Sequence, residues 1–411
     1  MKYVIIGAGA AGISAAGKIS ELDKRAEVTV ISADEAVYSR CMLHHVISGR
    51  RTAETISFVD KDFFDKRGIT WLKGKRVTGA DFQKRQLTLS DGTSVGYNRL
   101  LIAAGSKASV PPVKGVAGAG NVFTLRDLQD VERISAAAEK AKKAVVLGGG
   151  LVGLDAASAL LEKGLDVSVV EMADRVLPLQ LDSQAALGYE EAFKKAGAGI
   201  YTGVSVTEGV RDTAGAVSAL KLSDGTVLPC DMVVAAAGVR PNVEFLEAGT
   251  IDFDREITVD DRMRTSVPYV YAAGDVTGLS AIWPSAVKQG VVAACNMTGN
   301  DKRYEDYFTA KNSISLLGLD TVSVGLPSAP DDSYTTEVYL KDGVYKKIIF
   351  KDGVVCGVIL QKDIARSGFW TQVIKNKEKL ELPDGNPFKV TYADFYNIDS
   401  RGSFRFGAAA L

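Results

Sequence analysis

Lys2-Tyr3-Val4-Ile5-Ile6-Gly7-Ala8-Gly9-Ala10-Ala11-Gly12 opens the chain with a short apolar run and a glycine-rich turn, and its reading decides the fold. Tyr3 to Ile6 reads as a buried strand, the glycines as a tight turn, and the residues to about Leu22 as a helix. Val28-Thr29-Val30-Ile31 is a second strand. Strand, glycine turn and helix together make a pyrophosphate cradle. The turn needs residues without a Cβ, and the helix start aims unpaired N–H groups at an anion. A lone G-x-G-x-x-G carries little weight, but here both flanking elements are present. In such units the second strand commonly ends in an acidic residue for the ribose hydroxyls. This one ends in Ser32, with Asp34 and Glu35 just beyond, so the ribose contact of this copy stays open.

The motif returns downstream. Ala144-Val145-Val146-Leu147 is a strand, Gly148-Gly149-Gly150-Leu151-Val152-Gly153 the turn, Asp155 to Lys163 a helix, and Asp166 to Val170 a strand ending in Glu171. A carboxylate there accepts hydrogen bonds from both ribose hydroxyls and repels a 2′-phosphate. Neither Met172 nor Ala173 is basic, so NADH is favoured over NADPH. Leu89-Ser90-Asp91-Gly92-Thr93 and Leu222-Ser223-Asp224-Gly225-Thr226 are the same five residues, each an Asp-Gly turn between strand-like runs. Each is followed at equal spacing by Ala-Ala-Gly, as Ala103-Ala104-Gly105 and Ala236-Ala237-Gly238. A convergent turn is the bland alternative, and the equal spacing argues against it. Each half therefore reads as a doubly wound unit carrying a β-meander.

With 411 residues the chain is expected to form two to three domains. A net charge of -1 with interspersed signs gives no nucleic-acid footprint. No apolar run approaches the roughly 18 residues of a membrane span, and no leader precedes the first strand, so a soluble, cytoplasmic protein is expected. Cys41, Cys230, Cys295 and Cys356 lack metal-ligand spacing, and no metal site is expected.

Pro111-Pro112 and the glycines from Gly115 to Gly120 mark one crossing between domains, and Val239-Arg240-Pro241-Asn242 a second. Tyr269-Val270-Tyr271-Ala272-Ala273-Gly274-Asp275 then puts a carboxylate at a strand's C-terminal end, where open α/β sheets bind ligands. A helix cap or turn is the plainer reading of Asp275. From about Tyr304 alternating segments take over, with Val344 to Phe350 and Val354 to Leu360 as strands and Ile364 to Lys375 as a helix. The expected fold is α/β, with two Rossmann-like dinucleotide-binding domains, 1–113 with 244–303 and 114–243, and a C-terminal α+β domain, 304–406. Residues 407–411 look like a cloning scar.

Taken together, these motifs resemble the two-dinucleotide-binding-domain FAD/NAD(P)H flavoproteins of the pyridine nucleotide-disulfide oxidoreductase superfamily, nearest the NADH:rubredoxin reductase and nitrite reductase flavin-module branch. The resemblance spans about residues 1–370. It implies that Gly7, Gly9 and Gly12, with Ala10 and Ala11, hold the FAD pyrophosphate and that Asp275 contacts the ribityl chain. It implies that Gly148, Gly150 and Gly153, with Leu151, Val152 and Glu171, hold NADH. Asp155 stands where the family usually has glutamate, near the nicotinamide pocket. Ser32, Asp34, Arg40, Ala104, Gly105, Gly238, Gly274 and Trp283 complete the candidate cofactor-binding set. Ile282 to Gly290 looks like the family's helix whose start faces the flavin, with Pro284 at its first turn.

The flavin would carry the redox chemistry, and the protein would position two rings within about 3–3.5 Å. Tyr38-Ser39-Arg40-Cys41-Met42-Leu43-His44-His45 bears on the acceptor. In single-cysteine members a redox thiol falls near Cys41, whereas ferredoxin reductases read Arg-Pro-x-Leu there, and this chain has Arg40 and Leu43 with Cys41 replacing the proline. Arg40 and a nearby helix start would favour the thiolate, and a small packed cysteine is the bland alternative. His44 and His45, the only histidines, read as surface or satisfied core residues or as neighbours of the flavin. Cys230, Cys295 and Cys356 read as core.

The resulting expectation is an FAD enzyme that oxidises NADH and passes electrons to a rubredoxin, a ferredoxin or an iron–sulfur subunit of a larger oxidoreductase, such as a 2-oxoacid one. Rivals are a Cys41-dependent NADH oxidase, peroxidase or disulfide reductase, and a flavin-holding structural subunit. Homodimer and subunit of a complex both stay open. The aromatic tail from Pro383-Asp384-Gly385-Asn386-Pro387 is a candidate docking element for a partner.

Overall fold

The computed structural model describes residues 1–280, 282–305, 311–380, 385–398 and 401–406, and residues 407–411, read above as a cloning scar, and the Pro383-Asp384 start of the tail lie outside them. In chain order, β1 (Lys2–Ile6), α1 (Ala10–Leu22), β2 (Glu27–Ile31), β3 (Ile69–Leu72) and β4 (Arg99–Ile102) form the first half. The second half follows as β5 (Lys143–Leu147), α2 (Leu151–Glu162), β6 (Asp166–Val170), α3 (Ser183–Lys195), β7 (Gly199–Tyr201) and β8 (Met232–Ala235). The chain then returns through β9 (Val270–Ala272) and α4 (Trp283–Met297). It ends in β10 (Lys311–Leu316), β11 (Leu319–Gly325), β12 (Thr335–Lys341), β13 (Val344–Lys351), β14 (Val354–Gln361) and α5 (Ser367–Asn376).

These elements fall into two compact units, Met1–Val110 with Thr124–Ser135 and Ala237–Tyr307, and Pro111–Phe123 with Ala136–Ala236 and Phe308–Leu411. The stretch Thr124–Ser135, which lies between the two glycine turns in sequence, thus packs with the first unit.

In the first unit a five-stranded parallel sheet runs β9-β4-β1-β2-β3. Its central strands are apolar on both faces because helices and a meander cover both, as parallel sheets require. On one face α1 meets α4 so closely that a Cβ on Gly290 would lie 2.2 Å from the Ala11 carbonyl oxygen. The opposite face is covered by the antiparallel meander Val77–Asp81, Gln86–Leu89 and Ser94–Gly96, whose Leu87 and Leu89 are fully buried.

The second unit repeats the plan. Its parallel strands run β7-β6-β5-β8, and Val206–Arg211, Val217–Leu222 and Val227–Pro229 form the second meander. The antiparallel C-terminal sheet runs β10-β11-β14-β13-β12. It packs on α3, where a Cβ on Gly188 would come within 2.7 Å of Gln361 Oε1. The Tyr189 hydroxyl, fully buried at this junction, lies 3.1 and 3.0 Å from the Ile314 and Leu319 carbonyls and 3.0 Å from Thr321 Oγ1. Asp182 caps α3 through the Ala185 N–H and also accepts from Tyr345 and Lys347.

Two expectations need correction here. Cys230 and Cys295 are core residues at 5% and 6% exposure, but Cys356 is only half-buried. It is the extra residue where the β13–β14 register jumps from Gly357 to Val355, and a bulged residue has no fixed place in the pleat. The tail is not a free docking arm in its described part either. Val390 and Phe395 enter the core under α5, and the Arg366 guanidinium donates to the Phe388 and Val390 carbonyls.

Candidate functional site

The two glycine turns have the same backbone. Gly7 and Gly148 have φ of +107° and +110°, a conformation that L side chains rarely adopt. Gly9 and Gly150 cap the helices in extended conformation, at φ -82° and -77°. A Cβ on Gly12 would meet the Gly7 oxygen at 1.9 Å, and one on Gly153 would meet the Gly148 oxygen at 1.9 Å, so these glycines let each helix rest on its own turn. Nothing stands within 4 Å of a Cβ on Gly9 or Gly150. That open side is the space a pyrophosphate needs at the helix start, so both turns fit the group. Ala103 and Ala236 then donate to the Ile6 and Leu147 carbonyls, which puts Ala104-Gly105 and Ala237-Gly238 at the C-terminal edges of their sheets.

Around the first turn a cavity of about 620 Å³ is walled by Gly7, Ser32, Asp34, Ala104 and Gly105, and extends past Asn242 to Phe245. Its charged lining is Arg40, Lys75, Arg76, Lys107 and Arg126 against Asp34, Asp127 and Glu244, an excess of cations that suits a dianionic pyrophosphate. The side chains are fixed by one another. The Arg40 guanidinium donates to Asp34 Oδ2 at 2.7 Å and to the Arg126 carbonyl at 2.6 Å. Tyr38 donates its hydroxyl to Asp34 Oδ1, and burial pushes that phenol well above its ordinary pKa. Ser32, buried, donates to the Asp34 carbonyl and accepts from Trp71 Nε1, so its one hydroxyl proton is committed inside the protein.

Asp275 lies behind this cavity's wall, joined to it through Arg126. Its Oδ2 accepts from Ser106 Oγ at 2.8 Å and from Arg126 Nη2 at 2.7 Å, while Arg126 Nε holds the Ser106 carbonyl. Arg126 and Ser106 are the residues the motifs did not reveal. The signal was the cluster Thr124-Leu125-Arg126-Asp127, which falls between glycine turns and carries no spacing of its own. A second cavity of about 120 Å³ shares Gly9, Arg40 and Arg126 with the first and is lined by Cys41, Asp275 and Trp283. Trp283 is the first residue of α4, with Pro284 in the first turn, and its ring meets Phe58 edge-on at 4.6 Å. Cys41 is exposed in the single 3-10 turn Arg40–Met42 that leads into the five-residue helix Leu43–Ile47. His44 follows it, and burial together with the neighbouring His45 and Arg50 lowers its pKa to about 4.

In the second unit Glu171 leaves β6 and folds back on the turn, accepting from the Gly149 N–H at 2.6 Å and the Ala173 N–H at 2.8 Å. Each carboxylate oxygen keeps a further lone pair for a ribose hydroxyl. Asp155 sits one turn into α2, where burial pushes its carboxyl up to about 7. Among the described residues no group of His, Cys, Asp and Glu could hold a metal ion.

The family model for pyridine nucleotide-disulphide oxidoreductases matches residues 1–290. The chain belongs to that family. It is therefore an oxidoreductase, and FAD and NADH are its cofactors. It is 34% identical over 393 residues to the epsilon subunit of the NADH-dependent phenylglyoxylate dehydrogenase of Aromatoleum evansii, covering 92% of both chains. It is 29% identical to the NADH-rubredoxin oxidoreductase of Clostridium acetobutylicum, covering 79% of this chain and 81% of that one. Against the nitrite reductase of Bacillus subtilis the identity is 29%, and the chain spans 46% of that protein. Among solved structures it is similar to putidaredoxin reductase in covalent complex with putidaredoxin, with a TM-score of 0.83, 26% identity and coverage of 92% and 94%. No helix among the described residues is long and apolar enough to cross a membrane.

Proposed function

We propose that the chain is the NADH-oxidising flavoprotein of an electron-transfer pair, and that its acceptor is an iron–sulfur subunit of a larger oxidoreductase. The observation that carries this is the doubled cradle, two glycine turns of closely matching backbone, in a chain similar over 92% of its length to a dehydrogenase subunit. The similarity to putidaredoxin reductase in complex with putidaredoxin supports a separate redox protein as acceptor. Residues 1–113 and 244–303, together with Thr124–Ser135 and 237–243 that pack with them, are assigned to FAD, the rest of 114–243 to NADH, and 304–406 to a C-terminal domain.

When bound, the flavin takes hydride from NADH and gives electrons up to the acceptor. The chain's own residues bind and orient. Gly7, Gly9 and Gly12 with Ala10 and Ala11 admit the FAD pyrophosphate, and Arg40, Lys75, Arg76 and Lys107 offset its charge. Asp275, held by Arg126 and Ser106, presents its second oxygen, Oδ1, as an acceptor for ribityl hydroxyls. The start of α4 supplies partial positive charge, and Trp283, held edge-on by Phe58, lines the smaller cavity. Gly148, Gly150 and Gly153 with Leu151, Val152 and Glu171 receive NADH, and Asp155, one turn into α2, flanks it.

The test is an anaerobic titration of the yellow holoenzyme with NADH, followed by mixing with candidate acceptors. Bleaching by one equivalent and rapid recolouring by an iron–sulfur subunit co-purified from the native cell supports the proposal. Colour that persists under excess NADH defeats it, and recolouring by rubredoxin or ferredoxin alone reassigns the acceptor.

The exposed Cys41 in the cavity of Trp283 and Asp275 favours one second reading, a thiol-dependent NADH oxidase or disulfide reductase. That reading requires a long-wavelength thiolate-to-flavin absorption in the titration, absent in Cys41→Ser.

A further inference from the structure

Strand β9 ends at Ala272, and the chain leaves the sheet in one tight step. Ala273 still donates to the Ile102 carbonyl, but Gly274 takes φ +83° and ψ -157°, and Asp275–Thr277 forms a 3-10 turn. A side chain at 274 would be strained by that backbone and would meet the Ala11 Cβ at 3.2 Å. Gly274 is buried and lies past the last ladder bond, so its N–H and carbonyl both need partners from outside the sheet. Thr277 donates its N–H to the carbonyl at 3.0 Å and its hydroxyl at 2.9 Å. The Gly274 N–H goes instead to a side chain, Gln289 Oε1, at 2.7 Å.

Gln289 belongs to α4 and is fully buried. Packing does not account for it. Its Nε2 is buried with no hydrogen-bond partner among the described residues, whereas a methionine would fill nearly the same volume with no donor to satisfy. The acceptor oxygen is what distinguishes glutamine at this position, and that oxygen holds the turn. Asp275 follows directly, its Oδ2 gripped by Ser106 and Arg126 from the other side.

We propose that Gln289 is a positioning residue for the flavin: through the Gly274 N–H it sets the turn from which Asp275 offers its carboxylate to the ribityl chain. The helix that carries Gln289 starts at Trp283, which lines the smaller cavity together with Gly274 and Asp275. One hydrogen bond therefore registers the helix start and the carboxylate against each other. The inference rests on the assignment of Asp275 to the flavin, and the variants below separate the two.

The measurement is release of FAD from the holoenzyme, each variant being loaded with excess FAD and then diluted, with the rise in flavin fluorescence as the readout. Gln289→Met leaves the buried Gly274 N–H unmet and is expected to release FAD at least about tenfold faster. Gln289→Glu keeps an acceptor oxygen and gives up only the unpaired donor, so it should stay within about threefold of the unaltered chain. Asp275→Ala should release FAD faster by itself, and adding Gln289→Met to it should accelerate release by no more than about threefold, because the residue it acts through is gone. Should Gln289→Met not fold, Gln289→Asn takes its place, since it keeps the amide but falls one methylene short of Gly274. Full additivity in the double variant overturns the inference and leaves Gln289 a packing role. Normal release from Gln289→Met or its substitute overturns it too, as does loss from Gln289→Glu equal to that from Gln289→Met. Normal release from Asp275→Ala overturns the assignment of Asp275 itself, and the inference with it.

Discussion

Arg126 ties the cavity together although it belongs to no motif: one guanidinium nitrogen holds Asp275, another the Ser106 carbonyl, and its own carbonyl receives Arg40. Charge-assisted hydrogen bonds of this kind contribute about 1.5–3 kcal/mol each. Arg126→Ala is expected to lower retained FAD by at least about tenfold in affinity, read from the flavin-to-protein absorbance ratio after dialysis. Arg126→Lys should rescue only partly, because an ammonium cannot reach both partners in a fork. Glu171 acts on the nucleotide and on the turn together, since its carboxylate holds the Gly149 N–H. Glu171→Ala should raise KM for NADH by about tenfold or more while narrowing the preference over NADPH, and unchanged steady-state kinetics with both cofactors would contradict the assignment.

At the scale of elements, the crossing of α1 and α4 is set by one missing side chain. A methyl group on Gly290 would press on the Ala11 carbonyl, so Gly290→Ala must part the two helices that carry the turn and Trp283. Overpacking of this kind costs about 1–3 kcal/mol. We expect a lower thermal midpoint and weakened FAD binding together; a stable variant with normal flavin content would show that the crossing tolerates movement. The C-terminal tail belongs to the same argument. Because Val390 and Phe395 are buried against Phe369, truncation after Lys379 should destabilise the C-terminal sheet and expose its core to dye binding. Simple uncoupling from the acceptor with unchanged stability would reverse that assignment.

For the molecule as a whole, two half-buried titratable groups act in opposite directions with pH. His44 has its pKa lowered from 6.5 to about 4, so the unfolded chain binds the extra proton, and its contribution to stability is lost as pH falls from 6.5 towards 4. Asp155 has its pKa raised from 3.8 to about 7, so the folded chain binds the proton, and its contribution is lost as pH rises from 4 towards 7. Relative to the unaltered chain, Asp155→Asn should therefore gain stability progressively from pH 4 to 7. His44→Gln should gain it progressively from pH 6.5 down to 4. Thermal midpoints in one buffer series across that range check both, and parallel curves for all three proteins would refute the linkage.

Much of this protein was legible before any coordinates. The glycine turns, their flanking strands and helices, the repeated Asp-Gly meanders and Glu171 are local patterns, because backbone sterics and side-chain periodicity act over a few residues. The motif placed Asp275 correctly at a strand end for the same reason. Ser32 shows the limit: its position in the motif was plain, but Trp71, far along the chain, decides where its hydroxyl points. Arg126, Ser106 and Gly290 became meaningful only when sheet order and helix crossing brought distant residues within hydrogen-bond or van der Waals reach. The bulge at Cys356 and the buried tail follow from strand register and core packing, which no single stretch of sequence specifies, because each depends on a partner chosen by the whole fold.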